Sequence, residues 1–201
     1  MRVGLLGGTF DPPHEGHLRL ALVALEALGL DEVRFVPAAR PPHKGEAVLE
    51  GPVRMALLQE ALAEAGPAFR VDPVELELDG LSRTARTLDV LHEREPGSAF
   101  ILLMGSDQAA RFETWHRPEH ILARASLAVS PRPGFDPGLP PMLSGRVRSA
   151  WSGLPGEVVR IPGTELALAS RELRALLARG SGAPGLPSRV ATAITKDNLY
   201  R

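Results

Sequence analysis

Residues 7–17 read Gly-Gly-Thr-Phe-Asp-Pro-Pro-His-Glu-Gly-His, a set of residue types suited to holding an anion. Glycines in a turn between a strand and a helix let backbone N–H groups approach a phosphate closely, and the helix that follows adds the positive end of its dipole. His14 and His17, three residues apart, can direct ring N–H donors at that same anion. A lone histidine here would read as a helix cap or a surface residue. Two of them among glycines and a proline pair read as phosphate ligands. Lys44, after Pro41-Pro42-His43, is the second candidate: only it and Lys196 are lysines among 23 basic residues, so a lysine kept at this position points to a need for its ammonium. Asp107 follows Gly105 at the end of an apolar run and opens a helical segment, where a carboxylate suits a helix cap.

Positioning these residues requires strands that end where the polar turns begin. Apolar runs at 2–6, 32–37, 69–74, 99–104, 126–130 and 157–160 predict strands, and helical periodicity predicts helices over 16–28, 52–64, 84–94, 107–112, 118–123, 170–179 and 187–194. Strands separated by helices imply an α/β fold: a Rossmann-like, doubly wound parallel sheet with helices on both faces. Ligands of such sheets bind beyond the carboxyl ends of the strands, where the candidate residues should gather. The pattern reads as one domain over 1–201, with 181–201 a linker and a final helix packed on it, and 131–141 as a proline- and glycine-rich surface loop.

Composition narrows the function classes. The 201 residues suffice for one α/β domain, and a net charge of −1 supplies neither a basic field for nucleic acid nor an attraction to membranes. The absence of cysteine excludes disulfides and thiolate metal sites. Neither a leader-like segment nor an apolar run of membrane-spanning length is evident, so a cytoplasmic protein is expected. Few amides and 19 prolines suit a thermophile, whereas scarce lysine suits a GC-rich genome equally well. The sequence leaves assembly into a homo-oligomer open.

Several motifs occur in order: Gly7–Gly8–Thr9–Phe10, then 11–17 with its His-x-Gly-His, Pro-Pro-His-Lys at 41–44, Gly-Ser-Asp at 105–107 with Trp115, Arg-Pro-Gly at 132–134, and a closing Leu199-Tyr200. Together they resemble the bacterial nicotinate-nucleotide adenylyltransferases of the nucleotidyltransferase superfamily, over essentially the whole chain. The resemblance implies transfer of AMP from ATP to nicotinate mononucleotide, giving deamido-NAD and pyrophosphate, with magnesium accompanying ATP and no covalent enzyme intermediate. It implies that His14, His17 and Lys44 act on the transferring phosphates. Gly7, Gly8, Thr9 and Phe10 would form the turn against ATP, with Asp107 on a ribose and Arg132, Ser170 and Arg174 toward the nucleotide and its phosphates. Thr84, Trp115 and His116 would face the pyridine nucleotide, Trp115 by stacking. The metal is expected on the phosphates and water, with no protein cage.

Two segments depart from the family's pattern. Residues 82–88 read Ser-Arg-Thr-Ala-Arg-Thr-Leu where the family commonly has Ser-Tyr-Thr-x-Asp-Thr-Leu. Arg83 and Arg86 could favour the nicotinate carboxylate over nicotinamide, or simply point into solvent at a helix start. Residues 168–174 read Leu-Ala-Ser-Arg-Glu-Leu-Arg, so Ala169 and Arg171 replace two hydroxyls; Ser170 can still cap the helix and Arg174 keeps its place. The competing readings are an enzyme accepting nicotinamide mononucleotide or both acceptors, a phosphopantetheine adenylyltransferase, and a nucleotide-binding regulator without catalysis. An aminoacyl-tRNA synthetase is opposed by the short chain, the missing Lys-Met-Ser-Lys-Ser loop and the low charge. A hydride-transferring enzyme is opposed by the absence of Gly-x-Gly-x-x-Gly after the first strand.

Overall fold

Apolar runs such as 99–104 and 125–130 can bury both faces only if their strands lie side by side beneath helices on either side. The computed structural model, which describes residues 1–40, 49–132, 137–164, 166 and 168–201, has this architecture. The chain runs β1 (Arg2–Gly8), α1 (Glu15–Leu28), β2 (Glu32–Pro37), α2 (Gly51–Leu62), β3 (Phe69–Val71), α3 (Thr84–Arg94), β4 (Ala99–Gly105), α4 (Ser106–Ala109), a 3-10 turn (Phe112–Thr114), α5 (Pro118–Leu122), β5 (Ala125–Ser130), α6 (Pro141–Ser144), β6 (Val147–Arg148), β7 (Val158–Arg160), α7 (Ser170–Leu177) and α8 (Ser188–Lys196). The strands form one sheet in the order β3-β2-β1-β4-β5-β7-β6, with every neighbouring pair parallel. From β1 the chain steps outward to β3, then returns to the other side of β1 as β4. The order therefore reverses between β1 and β4, and a ligand crevice belongs at that point.

Alternation along the strands divides the core into two layers. Phe100, Leu102 and Met104 face Leu88 and Leu91 of α3 and Ile121 of α5, whereas Ile101 and Leu103 face Ala21 and Ala24 of α1 and Leu58 of α2. A third cluster joins Leu57 and Ala61 of α2 to Val190 and Ile194 of α8.

The expected elements stand, with four local corrections. Gly7 and Gly8 continue β1, paired with Val36 and Pro37, so the strand runs two residues into what was read as the turn. The 69–74 strand stops at Val71, because the Asp72 carboxylate accepts from the N–H of Val74 at 3.1 Å and turns the chain. The 107–112 helix divides into α4 and the 3-10 turn. Two elements, α6 and β6, escaped the reading: Pro141 opens α6 at a position that tolerates proline, and a two-residue strand carries no period.

One side chain ties the carboxyl-end loops together. Arg54 of α2 is 1% exposed. Its guanidinium donates to the carbonyls of Leu49 at 2.8 Å, Thr9 at 2.7 Å, Ala38 at 2.5 Å and Ala39 at 3.3 Å. The turn after β1, the loop after β2 and the start of α2 thus share one clamp. Arg54→Met keeps the apolar stem but strands these carbonyls, and should cost about 3 kcal/mol; urea unfolding checks this, and a midpoint equal to that of the parent chain would refute the clamp.

Candidate active site

The turn after β1 closes into α1 through its two histidines. His14 is the N-cap, with extended backbone, and its N–H donates to Nδ1 of His17 at 3.2 Å. The two rings stack at 3.7 Å between centroids and 25° between planes. The His-x-Gly-His spacing therefore has a local cause: N-cap and third helical residue reach back toward each other, as in a capping box. Accepting at Nδ1 puts the ring hydrogen of His17 on Nε2, as a donor. Gly16 is required by close approach, since a Cβ there would lie 3.0 Å from Nδ1 of His14. Nδ1 of His14 is buried and has no hydrogen-bond partner among the described residues.

Burial dominates the electrostatics of this pair. It pushes His14 down to about 4, with the Arg132 charge acting in the same direction. His17 is held well below the usual imidazole range by burial, then by His14 and Arg132. Both rings are neutral near pH 7, so each presents one N–H. Phe10 lies in the turn with its side chain directed inward. Its ring is buried, edge-on to His17 at 4.9 Å and against Phe35 at 5.9 Å, so it fixes the His17 ring from within the core. Gly7 is exposed, and Gly8 and Thr9 are half-buried, at the open end of the strand.

Across the crevice, Asp107 lies in the first turn of α4, but the N-cap is Gly105, so Asp107 does not cap the helix. Its carboxylate instead pairs with Nε of Arg132 at 3.0 Å. A Cβ at Gly105 would stand 2.6 Å from that carboxylate oxygen and 3.2 Å from Nε of Arg132, which accounts for the glycine. The backbone N–H of Arg132 donates to Oγ of Ser106 at 3.2 Å. The ends of β1, β4 and β5 thus bring His14, His17, Asp107 and Arg132 into one electrostatic neighbourhood.

The C-terminal segment braces the turn from the other side. Ala169, not Ser170, is the N-cap of α7, and the Ser170 hydroxyl donates to the carbonyl of Pro12 at 3.0 Å. Nη1 of Arg174 donates to the carbonyl of Asp11 at 2.6 Å and lies 3.6 Å from its carboxylate. Sequence reasoning directed both side chains at the nucleotide; in the structure their visible contacts are with the turn.

At the N-terminus of α3, Thr84 is half-buried and Arg83 and Arg86 are exposed. Arg86 turns back to donate to the carbonyl of Asp79. Partial desolvation, then the charges of Arg83 and Arg117, hold exposed His116 below its ordinary value. Trp115 is half-buried with its ring 5.4 Å from Phe112. Ser82 links this corner to the loop after β2: its N–H donates to the carbonyl of Arg40 at 3.1 Å, and the N–H of Arg40 donates to its hydroxyl at 3.3 Å. Lys44 and His43 lie outside the described residues, as do Pro133 and Gly134.

Sequence reasoning missed three groups. Arg54 carries no motif that signals a role, and its buried clamp supplies one. Glu75, raised by burial, accepts from the Thr87 hydroxyl at 2.8 Å and fastens α3. Asp11, fully buried, accepts from the Tyr200 hydroxyl at 2.6 Å. No periodicity signals any of these; a carboxylate between Phe10 and two prolines was the one hint for Asp11.

A family model described as cytidylyltransferase-like matches residues 5–170. A relative from Hydrogenovibrio crunogenus, named a probable nicotinate-nucleotide adenylyltransferase, is 37% identical over 99% of this chain and 97% of its own. One of the same name from Salinibacter ruber is 39% identical over 100% of this chain and 98% of its own. Among solved structures, the Plasmodium falciparum nicotinic acid mononucleotide adenylyltransferase complexed with NaAD shares the fold: its TM-score is 0.77 at 16% identity, covering 99% of this chain and 97% of that one.

Removing one preorganised donor to developing charge costs about 2.7–4 kcal/mol, so His17→Ala should lower nucleotidyl-transfer turnover by about 10²–10³. Near-parent turnover in a folded His17→Ala protein would contradict the role. A second expectation concerns acid. With His14 at about 4 when folded and 6.5 when unfolded, the unfolded chain binds more protons in that window, so stability falls as pH falls. By pH 5 this group alone accounts for about 2 kcal/mol. Denaturation at pH 7 and pH 5 should show a smaller acid loss in His14→Gln than in the parent chain.

Proposed function

The chain belongs to the nicotinate-nucleotide adenylyltransferase family within the cytidylyltransferase-like proteins, and from that premise we propose that it transfers AMP from ATP to nicotinate mononucleotide, yielding deamido-NAD and pyrophosphate. The observation that carries this reading is the meeting of His14, His17, Asp107 and Arg132 at the reversal point of the sheet, between β1 and β4.

In the proposed reaction a phosphate oxygen of the mononucleotide attacks the α-phosphorus of ATP. The new P–O bond forms as the bond to the bridging oxygen breaks, and pyrophosphate leaves with that electron pair. The nucleophile is already an anion, so the protein needs no strong base. Its work is to hold two anions in line and to stabilise charge on the transferring group. Nε2–H of His17 and a ring N–H of His14 donate to the phosphates, assisted by backbone N–H groups at the start of α1, by Arg132 and by Lys44. Asp107 accepts from a ribose hydroxyl, and Gly7, Gly8 and Thr9 leave room for the nucleotide beside the strand end. Ser170 and Arg174 act on the nucleotide side chiefly through the turn they brace. Thr84, Trp115 and His116 face the pyridine.

Transfer from ATP generally uses a divalent ion, and we take it to be magnesium. Among the described residues no group of three or more His, Asp or Glu side chains converges to hold a metal. We expect the ion on phosphate oxygens and water, as part of the ATP substrate, where it would neutralise phosphate charge. Among the described residues no helix is long and apolar enough to cross a membrane. The small-molecule substrates suit an enzyme working in the cytoplasm.

The test is pyrophosphate release from ATP and magnesium with nicotinate mononucleotide, nicotinamide mononucleotide or phosphopantetheine as acceptor. Nicotinate mononucleotide should be preferred over its amide by at least about tenfold. An exposed charge acting on a ring carboxylate contributes about 1 kcal/mol, so Arg83→Ala should reduce that preference about fivefold. Arg86→Ala should leave it unchanged, because that guanidinium is turned to Asp79. Turnover with phosphopantetheine alone would overturn the assignment of the acceptor.

A further inference from the structure

The polar contacts between the two ends of the chain converge on the turn that carries the histidines. Asp11 lies three residues before His14 and is fully buried. The hydroxyl of Tyr200 donates to its Oδ1 at 2.6 Å, across 189 positions of sequence, and the N–H of Leu49 lies 3.5 Å from the same oxygen. Arg174 donates to the Asp11 carbonyl, the Ser170 hydroxyl to that of Pro12, and the N–H of Glu15 to the carbonyl of Gly185 at 2.9 Å. Three successive parts of the C-terminal segment thus satisfy backbone groups of the turn, and Tyr200 holds its buried carboxylate.

The tail is shaped for this contact. After α8, Asn198 and Tyr200 have positive φ values of 54° and 64°. A bulky residue in the left-handed region is uncommon and strained, so it persists where surrounding contacts hold it. Leu199 and Tyr200 pack on the cluster formed by Leu57, Ala61, Val190 and Ile194. These residues are tied by packing and by one hydrogen bond to a buried carboxylate. Burial and the neighbouring carboxylate push the Tyr200 phenol upward, so it remains a proton donor at any working pH.

We propose that Tyr200 is a positioning residue: its hydroxyl anchors Asp11 and so sets the turn from which His14 and His17 reach the transferring phosphates. Tyr200 touches no substrate; it acts through Asp11. The proposal rests on the reading of this turn as the ATP phosphate site. It requires the hydroxyl, not merely the ring.

Tyr200→Phe keeps the ring packing and removes only the donor. Misplacing catalytic groups by about 1 Å can cost about 10²-fold, and for the smaller loosening expected on loss of one hydrogen bond kcat should fall about tenfold. KM for nicotinate mononucleotide should stay within about twofold, since that pocket lies at α3. Arg201→Ala, next in the chain, should change neither. An unchanged kcat in Tyr200→Phe, with or without a lower Tm, would overturn the proposal, as would equal loosening of both substrates. Loss of fold would overturn it too, because the hydroxyl would then support the domain and not the turn. Should the parent chain transfer no AMP to nicotinate mononucleotide, the functional reading fails separately. ATP affinity by calorimetry then decides the anchor: weaker binding in Tyr200→Phe supports it and equal binding refutes it.

Discussion

A loop that offers its N–H groups to an anion must do something with its carbonyls. Those facing inward lie where water does not reach, and no helix or strand pairs them. In this protein guanidinium groups meet that need. Arg54 satisfies carbonyls of Thr9, Ala38, Ala39 and Leu49, and Arg174 that of Asp11. With the carbonyls held from inside, the backbone of the turn is fixed where it carries the two stacked histidine rings. The ends of β1 and β2 depend on this arrangement: α2 reaches them through Arg54, and α7 reaches the turn after β1 through Arg174 and Ser170.

The same arrangement sets the charge of the site. Two imidazoles stacked at 3.7 Å cannot both be protonated without mutual repulsion, and burial beside Arg132 keeps them neutral. Neutral rings donate one hydrogen bond each without adding to the positive field. Arg132 supplies the formal charge, and its pairing with Asp107 at 3.0 Å tempers it. Among the described residues beside the two histidines, the positive potential comes from the partly paired Arg132 and from oriented dipoles. Such dipoles need not reorganise as charge moves between phosphates.

What could be read from the sequence followed from periodicity and short-range spacing. Helix α3 and strand β2 fall on the expected residues, because an amphipathic stripe and an apolar run have definite ends there. His14 and His17 were legible because N-cap and third helical residue are neighbours in any helix. Cap assignments at Asp107 and Ser170 failed: the N-caps are Gly105 and Ala169, and a shift of one or two positions moves a hydroxyl or carboxylate from capping to another contact. The Asp11–Tyr200 contact was illegible for another reason. Its partners are 189 residues apart, and neither polarity nor period shows that a carboxylate lies inside the fold. Arg54 was hidden likewise, since an arginine on a helix ordinarily reads as a solvent-facing residue.

The preference of this chain for arginine gains a structural meaning at its buried positions. Arg34 of β2, 1% exposed, reaches Glu95 with both terminal nitrogens at 2.7 Å and Glu32 with Nε at 2.5 Å. Arg54 serves four carbonyls lying in different directions. Both tasks use a planar group whose five N–H donors diverge at fixed angles, whereas an ammonium is a compact charge with three. A lysine at either position would leave carbonyls or carboxylate oxygens unserved in a dry environment, whatever its charge. Lysine is therefore no equivalent of arginine at these two sites. There the geometry of the guanidinium, more than its charge, holds the polar interior together.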